Sequence, residues 1–165
     1  MTIDVWHINS NRWNSAITEY SISCARATTL LGLSSLYSGL AHGLAHQRAR
    51  EIGLPTAPFA DFSSIRPFLS KLKTQKPRLV ICYGGSEAFL YKISSVFHVG
   101  CKMLRFRGDD IPYGRWREFL CRRELSAEGF NLLPSQKIKD YFLCLCPKLK
   151  SSFSQVIPLG LDKDL

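Results

Sequence analysis

Pro77 to Asp110 reads PRLVICYGGSEAFLYKISSVFHVGCKMLRFRGDD. Arg78 to Cys82 is a short apolar run rich in strand formers, broken by Tyr83-Gly84-Gly85. Ser86 can cap a helix, and Glu87 suits its first turn. Phe89, Ile93, Val96 and Phe97 then recur at helical spacing, and Gly100 stops the run. A second apolar run, Cys101 to Phe106, ends at Arg107-Gly108-Asp109-Asp110. The stretch is strand, glycine turn, helix, strand. Its two strands are expected to lie parallel, joined by a right-handed crossover. Tyr83 to Ser86 and Arg105 to Asp110 then open on one edge of one sheet, the edge at which open α/β sheets bind ligands.

The rest of the chain repeats this alternation. Ile3 to Ile8 reads as a first strand. Asn9 to Arg12 is a polar turn, and Trp13, Ile17, Tyr20, Cys24, Ala27 and Leu31 trace a helical stripe stopped by Gly32. Leu33 to Tyr37 is a second strand, Leu44 to Ile52 a short helix, and Pro55 to Phe59 a third strand. Ile65, Phe68, Leu69 and Leu72 mark an amphipathic helix with Lys71, Lys73 and Lys76 outward. Beyond the central unit, Trp116, Phe119 and Leu120 mark a helix studded with arginines from Arg115 to Arg123. Phe130 to Leu133 is a strand, Ile138 to Leu145 a helix and Gln155 to Ile157 a last strand. About seven strands alternating with about six helices predict an α/β, Rossmann-like three-layer sandwich with a mostly parallel sheet. No long linker or repeat divides residues 1–165, so a single domain is expected.

The totals bound the function. The chain has 165 residues, 45% of them hydrophobic, enough for one core. No apolar run reaches the ~18 residues of a spanning helix, and MTIDVWHINS is not a signal peptide. Six scattered cysteines form no CxxC pair, which predicts reduced thiols in a cytoplasmic protein and no zinc site. His42 and His46 lack a third ligand, so no metal is expected. A net charge of +9 predicts attraction to an anionic partner without choosing one.

Several residues at the predicted edge carry suitable chemistry. Arg105 and Arg107 alternate on a strand, so both guanidiniums lie on one face and can grip a phosphate or carboxylate. The bland alternative pairs them with Asp109 and Asp110. Asp109 can serve as a base or orient a hydroxyl, or simply cap the next helix. Tyr83, Gly84, Gly85 and Ser86 can bring backbone N–H groups to an anion, although the spacing is neither a Walker loop nor GxGxxG. Arg12 and Trp13 follow the first strand directly, where Trp13 either meets a ligand or opens the buried helix stripe. Ser135 and Gly160 are turn residues near the same edge.

Four ordered motifs carry a resemblance. Gly39 to Pro55 ends in Ala49-Arg50-Glu51-Ile52-Gly53-Leu54-Pro55. Lys76 to Tyr83 reads KPRLVICY, Val99 to Leu104 reads VGCKML, and Val156 to Asp162 reads VIPLGLD. Together they resemble the N-terminal, acceptor-side domain of family-four GT-B glycosyltransferases, over nearly the whole chain. The resemblance implies an acceptor site on this domain and a nucleotide-sugar held mainly by a second, C-terminal donor domain. The chain stops where that second domain should begin, and no two glutamates stand eight apart, as the family's donor signature requires. It departs from the family at Asn11 to Ser15, where a glycine pair is usual. It departs again at Phe106-Arg107-Gly108, where a histidine is usual, and at Leu159, where asparagine is usual.

The expected function is therefore the acceptor-binding half of a glycosyltransferase of glycan or cell-envelope synthesis, inactive without its donor domain. Within this reading the strand-end chemistry makes Asp109 and Arg107 the catalytic candidates. The same reading gives acceptor binding to Arg12, Trp13, Tyr83, Gly84, Gly85, Ser86, Arg105 and Ser135, and the interdomain edge to Pro158 and Gly160. No cofactor is implied. A glycan or lipid-linked acceptor is expected rather than nucleic acid, in the cytoplasm or at the inner face of the membrane. The alternative is a non-catalytic Rossmann-like binding or interaction module.

Overall fold

The computed structural model describes residues 2–95, 101–108, 130–145 and 154–156. They fall into two compact units that divide between Met103 and Leu104. In the first, β1 (Val5–Ile8) lies between β2 (Ser35–Ser38) and β3 (Leu79–Cys82), with Val5 opposite Ser35 and Leu79. β4 (Lys102–Phe106) starts beside β3, where Lys102 N–H donates to Arg78 C=O at 3.1 Å. In the second unit, β4 pairs with β5 (Phe130–Leu133), which pairs with β6 (Ser154–Val156). Every ladder described is parallel, as the alternation of elements predicts. The fold is α/β and Rossmann-like, with six strands and five helices among the described residues.

The strand count is one lower than expected because Pro55 to Phe59 makes only two isolated bridges to the β2 edge, at Thr56 and Phe59. Proline explains this. Pro55 C=O accepts from Tyr37 N–H, but its own nitrogen has no hydrogen to extend the ladder. Ala57 and Phe59 donate to Tyr37 and Gly39. Pro58, between them, turns its donorless nitrogen to the open side.

The first unit has three layers. On one face, α3 (Ile65–Gln75) and α4 (Gly85–Ser95) cover Trp6, Ile8, Leu36, Val80 and Cys82. Trp6 stacks on Phe59 and Phe68 at 5.9 and 5.5 Å, and its indole N–H donates to Ser38 Oγ at 2.9 Å. On the other face, α1 (Ala16–Leu30) and α2 (Leu44–Glu51) pack Ile22, Ala25, Ala45 and Ala49 around Tyr37. Glu19 of α1 pairs with Arg48 of α2. In the second unit, α5 (Gln136–Leu145) buries Ile138 and Phe142, the expected stripe.

Two helices present a different face from the one their hydrophobic spacing predicts. In α1 the buried residues are Thr18, Ser21, Ile22 and Ala25, whereas Ala27 and Leu31 are exposed. Hydroxyls displace the apolar stripe because β1 and β2 supply partners for them. Ser21 Oγ donates to Thr18 C=O at 2.7 Å and accepts from Asn9 Nδ2 at 2.9 Å. With its one proton so used, it accepts also from Tyr37 O–H, at 2.8 Å. In α4, Ala88, Leu90, Tyr91 and Ser94 are buried, while Phe89 and Ile93 are exposed. Val96 and Phe97 lie outside the described residues, as does the arginine-rich segment from Arg115 to Arg123. In α3 the stripe is as predicted, but Lys71 does not simply point to solvent. Its ammonium donates to Ala57 and Pro58 carbonyls and lies 4.4 Å from the Phe59 ring centre.

Candidate functional site

The strand order β2-β1-β3 makes the C-terminal ends of β1 and β3 a switch point: the chain leaves β1 towards β2 and leaves β3 towards β4. Open α/β sheets bind ligands at such a point. Two segments meet there within the first unit. One is Asn9 to Trp13, after β1. The other is Tyr83 to Glu87, where β3 passes into α4. Tyr83 N–H donates to Ile8 C=O at 3.0 Å, and Ser10 N–H donates to Glu87 Oε1 at 3.1 Å.

The first segment is tightly specified. Asn9 is fully buried, and its Oδ1 accepts Asn11 N–H at 2.9 Å, turning the chain out of the sheet. Asn11 Nδ2 donates to Ser15 Oγ at 3.0 Å. Ser15 is the N-cap of α1, its Oγ accepting from Thr18 N–H. The helix therefore begins after Trp13 and does not include it. Trp13 is 74% exposed, so the reading that buries it at the head of a helix stripe is corrected. Thr18 Oγ1 donates to Trp13 C=O at 2.9 Å and fixes its backbone. Arg12 and Asn14 are exposed on either side.

The second segment is as close-packed as a backbone allows. α4 begins at Gly85, so Ser86 lies in its first turn instead of capping it. A Cβ on Gly84 would lie 2.8 Å from Ser10 Oγ and 2.9 Å from both Glu87 carboxylate oxygens. Gly85 and Ser86 are exposed, whereas Tyr83 is 3% exposed. Glu87 is fully buried, and its Oε2 has no hydrogen-bond partner among the described residues. Burial pushes its carboxyl above the usual carboxylate range, against the Ser10 and backbone donors that pull it down.

Behind this edge lies a buried histidine, His7. His7 Nε2 is 3.0 Å from Thr28 Oγ1, and His7 Nδ1 is 3.0 Å from Tyr83 Oη. Thr28 spends its proton on Ala25 C=O at 2.8 Å, so it accepts from His7 Nε2–H. Nδ1 is then the acceptor, taking the Tyr83 hydroxyl proton. Burial drives the His7 pKa down to about 3 and holds the ring neutral. The sequence offers only a weak signal for His7 and Glu87: a strand histidine, and a glutamate placed after two glycines.

The second unit holds the predicted arginines. Arg105 is half-buried. Arg107 is buried, with Nε donating to Asn131 Oδ1 at 2.8 Å and its guanidinium 5.1 Å from the Phe142 ring centre. Arg107 N–H donates to Leu132 C=O, extending the ladder. Ser135 caps α5, its Oγ accepting from Ile138 N–H at 3.3 Å. Asp109, Pro158 and Gly160 lie outside the described residues. Replacing Arg107 by Ala removes the donor from a buried amide oxygen and the cation from Phe142. A loss of about 2 kcal/mol is expected, seen as a lower urea midpoint at unchanged slope.

No protein-family model matches the sequence, and no curated protein does. Solved structures share its fold. The Anabaena Alr3699/HepE crystal structure in complex with UDP superposes with a TM-score of 0.80 at 10% identity, covering 97% of this chain and 45% of that one. A glycosyltransferase from Rickettsia africae gives 0.78 at 12%, covering 99% and 44%. A UDP-N-acetylglucosamine 2-epimerase from Rickettsia bellii gives 0.63 at 13%, covering 93% and 44%. The chain spans a little under half the length of these structures. Its fold is that of the N-terminal half of a GT-B glycosyltransferase.

Proposed function

We propose that this chain is the acceptor-binding half of a nucleotide-sugar-dependent glycosyltransferase. The observation that carries the reading is the match in fold to GT-B enzymes over nearly all of this chain and under half of theirs. In this reading residues 1–165 act as one acceptor-side domain, and the nucleotide-sugar is held by a second domain. Arg12, Trp13, Gly85 and Ser86, exposed at the switch point, are the groups that meet the acceptor. An aromatic face suits a sugar ring, and a guanidinium beside it suits an anionic group on that sugar. Tyr83 and Gly84 support this edge from behind. In the second unit Arg105 is a further acceptor-binding candidate, Arg107 holds β5 against α5, and Ser135 starts α5. Asp109 is the candidate base for the acceptor hydroxyl. Pro158 and Gly160 lead towards the donor domain. The acceptor is a glycan or lipid-linked sugar, met in the cytoplasm or at the membrane's inner face. Among the described residues no helix is long and apolar enough to cross a membrane.

A glycan array and calorimetry test this together. The chain is expected to bind a subset of acidic or lipid-linked glycans, and Trp13→Ala to weaken that binding about tenfold without lowering the melting temperature. UDP is expected to give no heat with this chain alone. Tight UDP binding, or glycan binding indifferent to Trp13, would overturn the assignment.

A further inference from the structure

α1 and α2 end in the same cap. Leu31 and Ile52 are the C-cap residues, Gly32 and Gly53 follow at φ 76, and a leucine comes next in each. Leu33 N–H returns to Thr28 C=O at 3.1 Å, and Leu54 N–H to Ala49 C=O at 3.0 Å. The residue after such a glycine ordinarily folds back onto the last helical turn. Leu54 does so and is 8% exposed. Leu33 is 40% exposed, Leu30 and Leu31 are each 77% exposed, and Ile52 is 45% exposed. These are four of the eight large apolar side chains exposed among the described residues.

The four share one edge. Both helices pack on one face of the first unit and run back towards the N-terminal ends of its strands. Leu33 leads into Ser34, whose C=O accepts from Asp4 and Val5 N–H at the start of β1. This edge is opposite the one that carries Arg12 and Trp13. Isolated exposed leucines need no explanation, but a cluster at one edge does.

Cations rim the cluster. Arg26 stands one turn before Leu30 on α1, and Arg50 two residues before Ile52. Lys73, Lys76 and Arg78 enter the same edge on the way from α3 to β3, and all five are exposed. Among the described residues at this edge, Asp4 and Glu51 oppose them, and Asp4 already pairs with Arg78 at 3.3 Å. A second copy of this surface would set cations against cations. Anionic headgroups complement it, with leucines entering the interface and Lys and Arg meeting phosphate.

We propose that this edge of the first unit docks on an anionic phospholipid surface through Leu30, Leu31, Leu33 and Ile52, held by Arg26, Arg50, Lys73, Lys76 and Arg78. The proposal does not rest on the glycosyltransferase reading. Flotation of the 165-residue chain with vesicles rich in phosphatidylglycerol, and with vesicles of phosphatidylcholine alone, tests it. Binding is expected to the first and to fall with salt. Leu30→Ser with Leu31→Ser is expected to lower it at least about tenfold. Lys76→Glu with Arg78→Glu is expected to lower binding to the anionic vesicles by a similar factor. The leucine variant should keep the wild-type melting temperature because its side chains are exposed, and the charge variant should stay folded with a small drop, since it gives up only the exposed Arg78–Asp4 pair. Three results would overturn the proposal: no flotation of the wild-type chain, leucine variants that float like wild type, or a soluble dimer that the leucine variants dissolve.

Discussion

Lowering the pH from 7 to 4 is expected to cost the first unit about 3 kcal/mol through His7 alone. Burial sets its folded pKa at about 3, against 6.5 for the free side chain. Between those values the unfolded chain binds the proton and the folded one does not. The His7 contribution is therefore fully present above pH 6.5 and is lost as pH falls towards 3. The hydrogen bonds oppose protonation for the same reason, since a proton on Nδ1 would face the Tyr83 O–H that already donates there. Glu87 acts in the opposite sense. Its folded pKa is raised, so its contribution is largest in acid and declines as pH rises through that pKa. Subtracting the pH–stability profile of His7→Gln from that of the wild type isolates the histidine. The difference should slope upward from pH 4 to about 6.5 and then flatten. A flat difference would mean that His7 is not held neutral by burial.

Gly84→Ala is the second large effect. The new methyl meets Ser10 Oγ and both Glu87 oxygens inside contact distance. Ser10 Oγ can rotate away. Glu87 has less freedom, because it is fully buried and its Oε1 holds the Ser10 N–H. Overpacking of this kind costs about 1–3 kcal/mol. Moving Glu87 also frees the backbone just ahead of Arg12 and Trp13. Denaturant titration should show the lost stability, and any ligand of the Trp13 loop should bind more weakly. Gly84→Ala with Glu87→Gln should remain destabilised, since the amide occupies the same space. Gly84→Ala with Glu87→Ala should recover packing room and reveal how much of the penalty was steric.

The strand-turn-helix-strand unit around Gly84 was legible because its signals are local: a β-branched run, paired glycines and a second apolar run. The buried faces of α1 and α4 were not. Hydropathy spacing assigns Leu31 and Phe89 to the core, but Ser21 and Thr18 are worth burying once Asn9, Tyr37 and Trp13 C=O satisfy them. Those partners are distant in sequence or outside the helix, so periodicity cannot see them. Pro55 and Pro58 carried the information that their segment is no full strand, through donors they lack. At the candidate site, the exposed pair Arg12 and Trp13 could be placed from the sequence. Glu87 was legible as a first-turn residue of α4, but its burial and the role of His7 were not, because they arise from contacts between β1, α1 and the start of α4.

Dispersion between apolar helix faces has no preferred direction. Hydrogen bonds do have one. α1 is seated on its sheet by Ser21 with Asn9 and Tyr37, and by Thr28 with His7. A shift along the helix axis by one residue would break these bonds together and leave their groups dry and unmatched. The helix thus has one permitted register and no intermediate ones. The loop that carries Arg12 and Trp13 is attached to its first turn, so its height above the sheet is set before any ligand arrives. The ordering that a flexible loop would undergo on binding has already taken place during folding.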